Sequence, residues 1–337
     1  MNKKEYAAID IARYISALLV VCIHTYPFID ISETFNIFWL QTICRLAVPF
    51  FFVVSGFFFF KKQTEDENEN RELLKKYVSR LLKLYIIWTI IYIPYTIWNY
   101  STTGFAWYSI FAYIRDFFMS GSYYHLWFLP ALMIGMVLVC KMYEKKGLSF
   151  TLKASLALYI IGYFINIYAP IWESLPVVKI LYGFFTKTIV TPRNGIFFAP
   201  LFLSMGMLLA KTKGVSKKES KIGFIVSFLF LVVEVTIYYK LHLLQYLSSM
   251  FITLIPAVYF MVSYLLKVKI PYKEQYKIFR QESVLIYTSH ILFVKVLFLF
   301  SPKMNLIVYF LTLACSQCFA SIVIRNKEKY PILENLM

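Results

Sequence analysis

Charge is scarce in this chain: only 16% of its 337 residues are Asp, Glu, Lys or Arg, while 60% are hydrophobic. So little charge cannot clothe a soluble enzyme of this size, and no polar stretch is long enough for a separate soluble domain. Histidine is rarer still, with four copies, and three of them are separated by whole apolar runs. No group of His, Cys and carboxylates has the spacing of a metal site, so no metal is expected. Cysteine numbers five, and Cys22, Cys44, Cys315 and Cys318 lie well inside apolar runs, with Cys140 near an edge. The lone Cys315-Ser-Gln-Cys318 pair therefore reads as small packing residues rather than a redox or zinc motif. Acidic residues are few, 18 against 35 Lys and Arg, which gives a net charge of +17. The cations sit in short segments between apolar runs. That placement argues against nucleic-acid binding and fits topology signals beside anionic lipid. The first apolar stretch contains Arg13 and ends at Tyr26-Pro27 without a small-residue cleavage pattern, so it is not expected to be a cleaved signal peptide. No inverted internal repeat of the transporter kind is visible.

What is present is a series of continuous apolar runs near 20 residues long, each able to span a bilayer as a helix. They do not alternate as the strands of a membrane barrel do. The expected fold is all-α, a polytopic transmembrane bundle of about ten helices. The runs fall near 9–27, 36–60, 77–98, 124–142, 148–169, 194–210, 221–239, 245–266, 283–300 and 304–324. Between them, Gln63–Asn70 reads as mobile, 104–119 as an interfacial or re-entrant segment, and 170–193 as an aromatic outer loop, in part helical. With a cytoplasmic N-terminus, 24 Lys and Arg fall on the inside and only Arg115, Lys179, Lys187, Arg193, Lys240 and Lys303 outside. This asymmetry predicts that both termini are cytoplasmic and that the chain is a multi-pass protein of the inner (plasma) membrane.

The first run carries the most unusual chemistry. A residue advances about 100° and 1.5 Å along an α-helix, so Arg13 and His24 lie about three turns apart on nearly one face. Asp10, three residues before Arg13, joins the same stripe. Ionisable groups at membrane depth usually face a protein interior or a wet cavity, which makes Asp10, Arg13 and His24 candidate catalytic residues. Arg80 and Lys83 open the third run at its inner end. Basic residues there suit a phosphorylated anion, although such positions are also ordinary topology anchors. A histidine nearer the outside can take a proton from a hydroxyl as that oxygen attacks a carbonyl. The spacing thus suggests a donor held from the cytoplasm and an acceptor reached from outside, with a buried polar cluster that merely pins helices as the alternative. Ser289-His290 lies at mid-membrane in a late run, Arg193 precedes the sixth run at its outer end, and Glu234 could pair with Lys295 or carry protons. His242 reads as a solvated loop residue. Trp107, Tyr108, Tyr123, Tyr124 and Trp172 could stack on sugar faces or form an interfacial belt.

These residues also carry a family resemblance. Ile9-Asp10-Ile-Ala-Arg13, followed by Val20-Val21-Cys22-Ile23-His24, resembles the opening of the acyltransferase-3 family of membrane acyltransferases. That family places ten residues between an Arg or Lys and a His, as stand between Arg13 and His24 here. Arg45-Leu-Ala-Val-Pro49 to Ser55-Gly56-Phe57 is similar to its second-helix signature, and Arg80-Leu-Leu-Lys83 to its Arg-x-x-Arg motif, with Lys in second place. Lys keeps the charge but loses the planar fork, which weakens the case for bidentate phosphate contact. His125-Leu-Trp127-Phe-Leu129 and Ile286-Tyr287-Thr-Ser289-His290 match further patterns. The resemblance implies a membrane domain over 1–325 with a polar cytoplasmic tail or linker at 326–337. It implies O-acetyl transfer from cytoplasmic acetyl-CoA, the co-substrate, to a hydroxyl of an extracytoplasmic acceptor such as a cell-surface glycan of the cell envelope. His24 would be the base or acyl relay beside Asp10 and Arg13. Arg45, Arg80 and Lys83 would face the CoA, and His125, Trp127, Arg193 and His290 the substrate.

The segment from Pro49 to Phe60 and the Arg13–His24 run are also similar to the membrane domain of membrane-bound serine racemases of vancomycin-resistant bacteria. There the membrane part is thought to take up L-serine. That likeness implies a transporter of L-serine or another small solute, with a fused or associated racemase domain as partner. Nothing in this chain resembles a pyridoxal-phosphate racemase.

Overall fold

The computed structural model describes residues 6–104, 106–244, 248–300 and 303–337. Lys3, Lys4 and the expected start of the run at 245 lie outside them. The described residues are helical, with no strand among them. Seven stretches are long and apolar enough to cross a membrane: Ala7–Thr25, Glu33–Phe60, Glu67–Thr103, Phe128–Ile167, Lys217–Lys240, Glu274–Phe300 and Leu306–Asn326. Two shorter apolar helices are Ala199–Lys211 and Leu254–Leu265. The chain divides into two compact units.

The first unit comprises residues 1–54, 214–240 and 253–337. It contains α1 (Ala7–Thr25), α2 (Glu33–Gln41) and most of α3 (Ala47–Phe60). The run expected as one helix over 36–60 is interrupted by a 3-10 turn at Cys44–Leu46. Pro49 explains the break: it has no N–H to donate to the carbonyl of Arg45, so a fresh α-helix starts just before it. The unit continues with α10 (Lys217–Lys240), α11 (Leu254–Leu265), α12 (Glu274–Phe300) and α13 (Leu306–Asn326). α1 packs along α12, α12 along α13, and α10 along α11. Lipid is as apolar as these side chains, so close packing and interhelical hydrogen bonds hold such helices together. One such bond joins Ser220 of α10 to Ser263 of α11 at 2.9 Å.

The second unit comprises residues 55–213 and 241–252. Its helices are α4 (Glu67–Thr103), α5 (Tyr108–Met119), α6 (Phe128–Ile167), α7 (Ala169–Ser174), α8 (Pro176–Ile189) and α9 (Ala199–Lys211). α4 starts ten residues before its expected boundary, because Asp66 caps it and accepts from the N–H groups of Asn68 and Glu69 at 2.7 and 3.2 Å. Thr64 and Asn70 also exchange hydrogen bonds, so the stretch expected to be mobile is a tied turn. The two runs expected at 124–142 and 148–169 meet at Gly147, whose φ of 73° bends α6 there. The segment over 170–193, expected as an outer loop, is largely helical. Pro170 and Pro176 stand in the first turns of α7 and α8, where their missing N–H is no loss. α5 is a helix with no buried residue. Arg115 ties it to α8, donating to the carbonyl of Lys187 at 2.6 Å.

Candidate functional site

In the first unit α1 and α12 run side by side in the same direction. Tyr14 stacks on Phe279, with ring centroids 4.9 Å apart. Ala17 and Val21 pack on Ile286. At the far end of the same seam the His24 and His290 rings meet at 5.2 Å with their planes 36° apart. The two histidines, read from separate motifs, are thus neighbours. His290 is fully buried, and its Nδ1 lies 3.0 Å from the carbonyl of Ile286 and 2.8 Å from that of Tyr287. A carbonyl only accepts, so Nδ1 carries the hydrogen, and Nε2 of the neutral ring holds the lone pair.

Arg13 donates from Nη1 to Oδ1 of Asp10 at 2.8 Å, and both side chains are largely buried. This ion pair lies about three turns, roughly 17 Å, from His24 along α1. Arg45 stands elsewhere. It is buried in the turn between α2 and α3, where its Nε donates to Oε1 of Gln41 at 2.8 Å. Its neighbour Cys44 packs with Cys22, which places Arg45 near the His24 end of α1. Glu234 accepts from the backbone N–H of Thr253 at 2.8 Å and from its hydroxyl, and so ties α10 to the start of α11. Lys295, its expected partner, is exposed, as is His242.

The second unit holds the other candidates. Leu81, Leu84, Tyr85, Trp88 and Tyr92 form the buried stripe of α4, whereas Arg80 and Lys83 are exposed on it. His125 is buried inside an aromatic cage, 4.9 Å from the Tyr92 ring and 5.8 Å from those of Tyr123 and Tyr124. Tyr85 braces the loop before it, donating to the carbonyl of Phe117 at 2.7 Å and accepting from the N–H of Ser122 at 2.6 Å. Gly121 makes this turn possible. Its φ is 91°, and a Cβ there would lie 2.5 Å from the backbone nitrogen of Trp127. The Arg193 guanidinium lies 4.7 Å from the centre of the Trp127 ring, a cation–π pair. Asn194, next to it, accepts from the N–H groups of Ile196 and Phe197 and fixes the turn into α9. Trp107 and Tyr108 are exposed, while Tyr123 stacks on Tyr92 at 4.7 Å. Burial pushes the pKa of the Tyr123 phenol up, and the neighbouring Tyr95 adds to the shift.

A family model described as an acyltransferase domain matches residues 6–325, nearly the whole chain. The chain belongs to the acyltransferase-3 family. Curated relatives include an amino-acid racemase of Enterococcus faecalis, 32% identical over 79% of this chain and 37% of that protein. A serine/alanine racemase of Enterococcus gallinarum is 29% identical over 67% of this chain and 32% of that protein. The chain spans about a third of the length of these relatives. No solved structure matches.

Several residues that organise the site were not among those picked out from the sequence. Tyr92 and Tyr85 had a visible signal, since positions 85, 88 and 92 mark one face of a helix. Asn194 shows itself only as a turn residue before an apolar run. Glu282 was missed because α12 begins at Glu274, which takes a carboxylate expected at the membrane edge inside the helix.

Proposed function

We propose that this protein is an integral membrane O-acetyltransferase, moving an acetyl group from cytoplasmic acetyl-CoA to a hydroxyl of an extracytoplasmic acceptor such as a cell-surface glycan. The reading includes ten spans, both termini cytoplasmic, in the plasma membrane. Seven long apolar helices, the bend in α6 and two shorter apolar helices support that count. The observation that carries the chemistry is the His24–His290 pair, which stands about three turns from the Asp10–Arg13 ion pair, all within the segment matched by the family model. His24 serves as general base toward the hydroxyl, and His290, its Nδ1–H fixed on backbone carbonyls, orients it. Arg45, buried at that end of α1, stabilises the oxyanion that forms on the carbonyl. Arg80 and Lys83 meet the phosphates of CoA as exposed cations, and Asp10 holds Arg13 ready for the same task. His125, Trp127 and Arg193 line the acceptor's approach. Calorimetry with acetyl-CoA on the purified protein tests this. Saturable binding is expected, weakened in the double variant Arg80→Ala/Lys83→Ala. A folded protein that does not bind acetyl-CoA would refute the reading.

The racemase names of the relatives support a second reading, uptake of L-serine or another small solute for a fused or associated racemase domain. It predicts serine accumulation in sealed vesicles without acetyl-CoA. Absence of uptake under imposed ion gradients would remove it.

A further inference from the structure

The histidine pair is one end of a polar seam that runs through the first unit between α1, α12 and α13. At the other end Glu282 is buried in α12 and forms no salt bridge among the described residues. It accepts from Nε2 of Gln317 on α13, and Gln317 in turn accepts from the Tyr14 hydroxyl of α1 at 2.8 Å. Three helices thus meet at one carboxylate. Glu282 precedes His290 by eight residues, about 12 Å along α12. By helix register Ser289 on α12 and Thr312 and Ser316 on α13 fall between the levels of the two ends, and each is fully buried. Their hydroxyl oxygens have no hydrogen-bond partner among the described residues. A buried hydroxyl left unpaired is destabilising, and in native proteins such groups are commonly met by ordered water. Three of them along one seam between a carboxylate and an imidazole are suited to hold a short column of water.

We infer that this seam is a proton path, with Glu282 as its inner terminal and the His24–His290 pair as its outer one. The inference rests on the acyltransferase reading for its purpose. In the transfer, the hydroxyl oxygen bonds to the thioester carbonyl carbon and gives its proton to the imidazole. The carbon–sulfur bond then breaks, and the CoA thiolate needs a proton. The CoA thiolate withdraws toward the cytoplasm and takes up a proton there, while the imidazole sheds the hydroxyl's proton inward from His290 through water to Glu282 and on to the cytoplasm, so that one proton is released and one is taken up. Tyr14 and Gln317 hold the Glu282 carboxyl in place as positioning residues.

The test uses the full chain in native-membrane vesicles, with release of CoA thiol from acetyl-CoA as the readout. Glu282→Gln keeps the shape of the side chain and removes its proton exchange. It is expected to slow release at least tenfold, with KM for acetyl-CoA unchanged and a larger solvent deuterium isotope effect. Glu282→Asp is expected to recover most of the rate. A normal rate and isotope effect in Glu282→Gln would overturn the proposal. If the wild type releases no thiol, the acyltransferase reading fails, and hydroxyl-radical footprinting still tests the water column. Oxidation at the buried His290 is expected in the wild type and is expected to fall in the triple variant Ser289→Ala/Thr312→Val/Ser316→Ala. No oxidation there in the wild type would overturn the column.

Discussion

In the first unit His24 and His290 meet ring to ring between two parallel helices, whereas in the second His125 is enclosed by Tyr92, Tyr123 and Tyr124. The first arrangement sets the imidazoles at one end of a seam that holds buried hydroxyls and, about 12 Å along α12, the Glu282 carboxylate. The second surrounds the imidazole with ring faces, which fix its position. Under the proposed function the same side chain would take two tasks, proton handling in one unit and shaping the acceptor's approach in the other. The contrast matters because all three histidines lie in segments that resemble the family's motifs, and that resemblance alone does not separate a base from a wall.

The largest expected effect follows from the first arrangement. Removing a general base slows transfer by about 10²- to 10⁴-fold, so His24→Ala should nearly abolish acetyl transfer while the protein still inserts and unfolds at close to its normal temperature. His125→Phe should keep the cage and much of the rate, because a ring of similar shape replaces a ring. Measuring transfer for both variants in one membrane preparation separates the roles. Equal losses would erase the contrast between the units.

A second effect concerns stability. The Asp10–Arg13 pair is largely buried, with side-chain exposures of 9% and 16%. Removing one partner of a buried ion pair costs about 3–5 kcal/mol. Asp10→Ala should therefore lower thermal stability sharply, and the double variant Asp10→Ala/Arg13→Ala should lower it less. If the double variant is worse than either single change, the pair is not the coupled unit that its geometry describes.

The ion pair also marks what a reader of the sequence alone could reach. The helical repeat of about 3.6 residues puts Asp10, Arg13 and His24 on one stripe, and the structure closes the first two at 2.8 Å. Apolar length gives the membrane helices, since twenty lipid-soluble residues have few other uses. What the repeat does not encode is which stripe meets which. The encounter of His24 with His290 joins positions 266 residues apart, and only packing decides it. Arg45 shows the same limit. The family resemblance set it beside Arg80 and Lys83 as a contact for CoA, but its neighbour Cys44 packs with Cys22 near the His24 end of α1. Glu282 depended on a boundary, and a helix that starts nine residues early changes an edge residue into a buried one.

Smaller effects come from the second unit. Gly121→Ala places a side chain at φ 91° and 2.5 Å from the Trp127 nitrogen, so it should cost about 1–3 kcal/mol and loosen the cage around His125. Thermal unfolding measures the cost. Unchanged stability would mean that the 120–127 loop adjusts freely and that the aromatic cage is softer than drawn.

The smallest expected effect is the most selective. Arg193 lies 4.7 Å from the centre of the Trp127 ring, and a planar guanidinium can lie flat on an indole where an ammonium cannot. Arg193→Lys keeps the charge and removes the stacking, so stability should fall by about 0.5–1 kcal/mol. Arg193→Gln removes the charge as well. If Arg193 serves an anionic acceptor, the Lys variant should keep most of the acceptor's KM and the Gln variant should lose it. If Arg193 only positions Trp127, both should raise the same KM alike. The two variants thus decide whether the second unit offers the acceptor a charge or only a wall, which is the question that its caged histidine leaves to its neighbours.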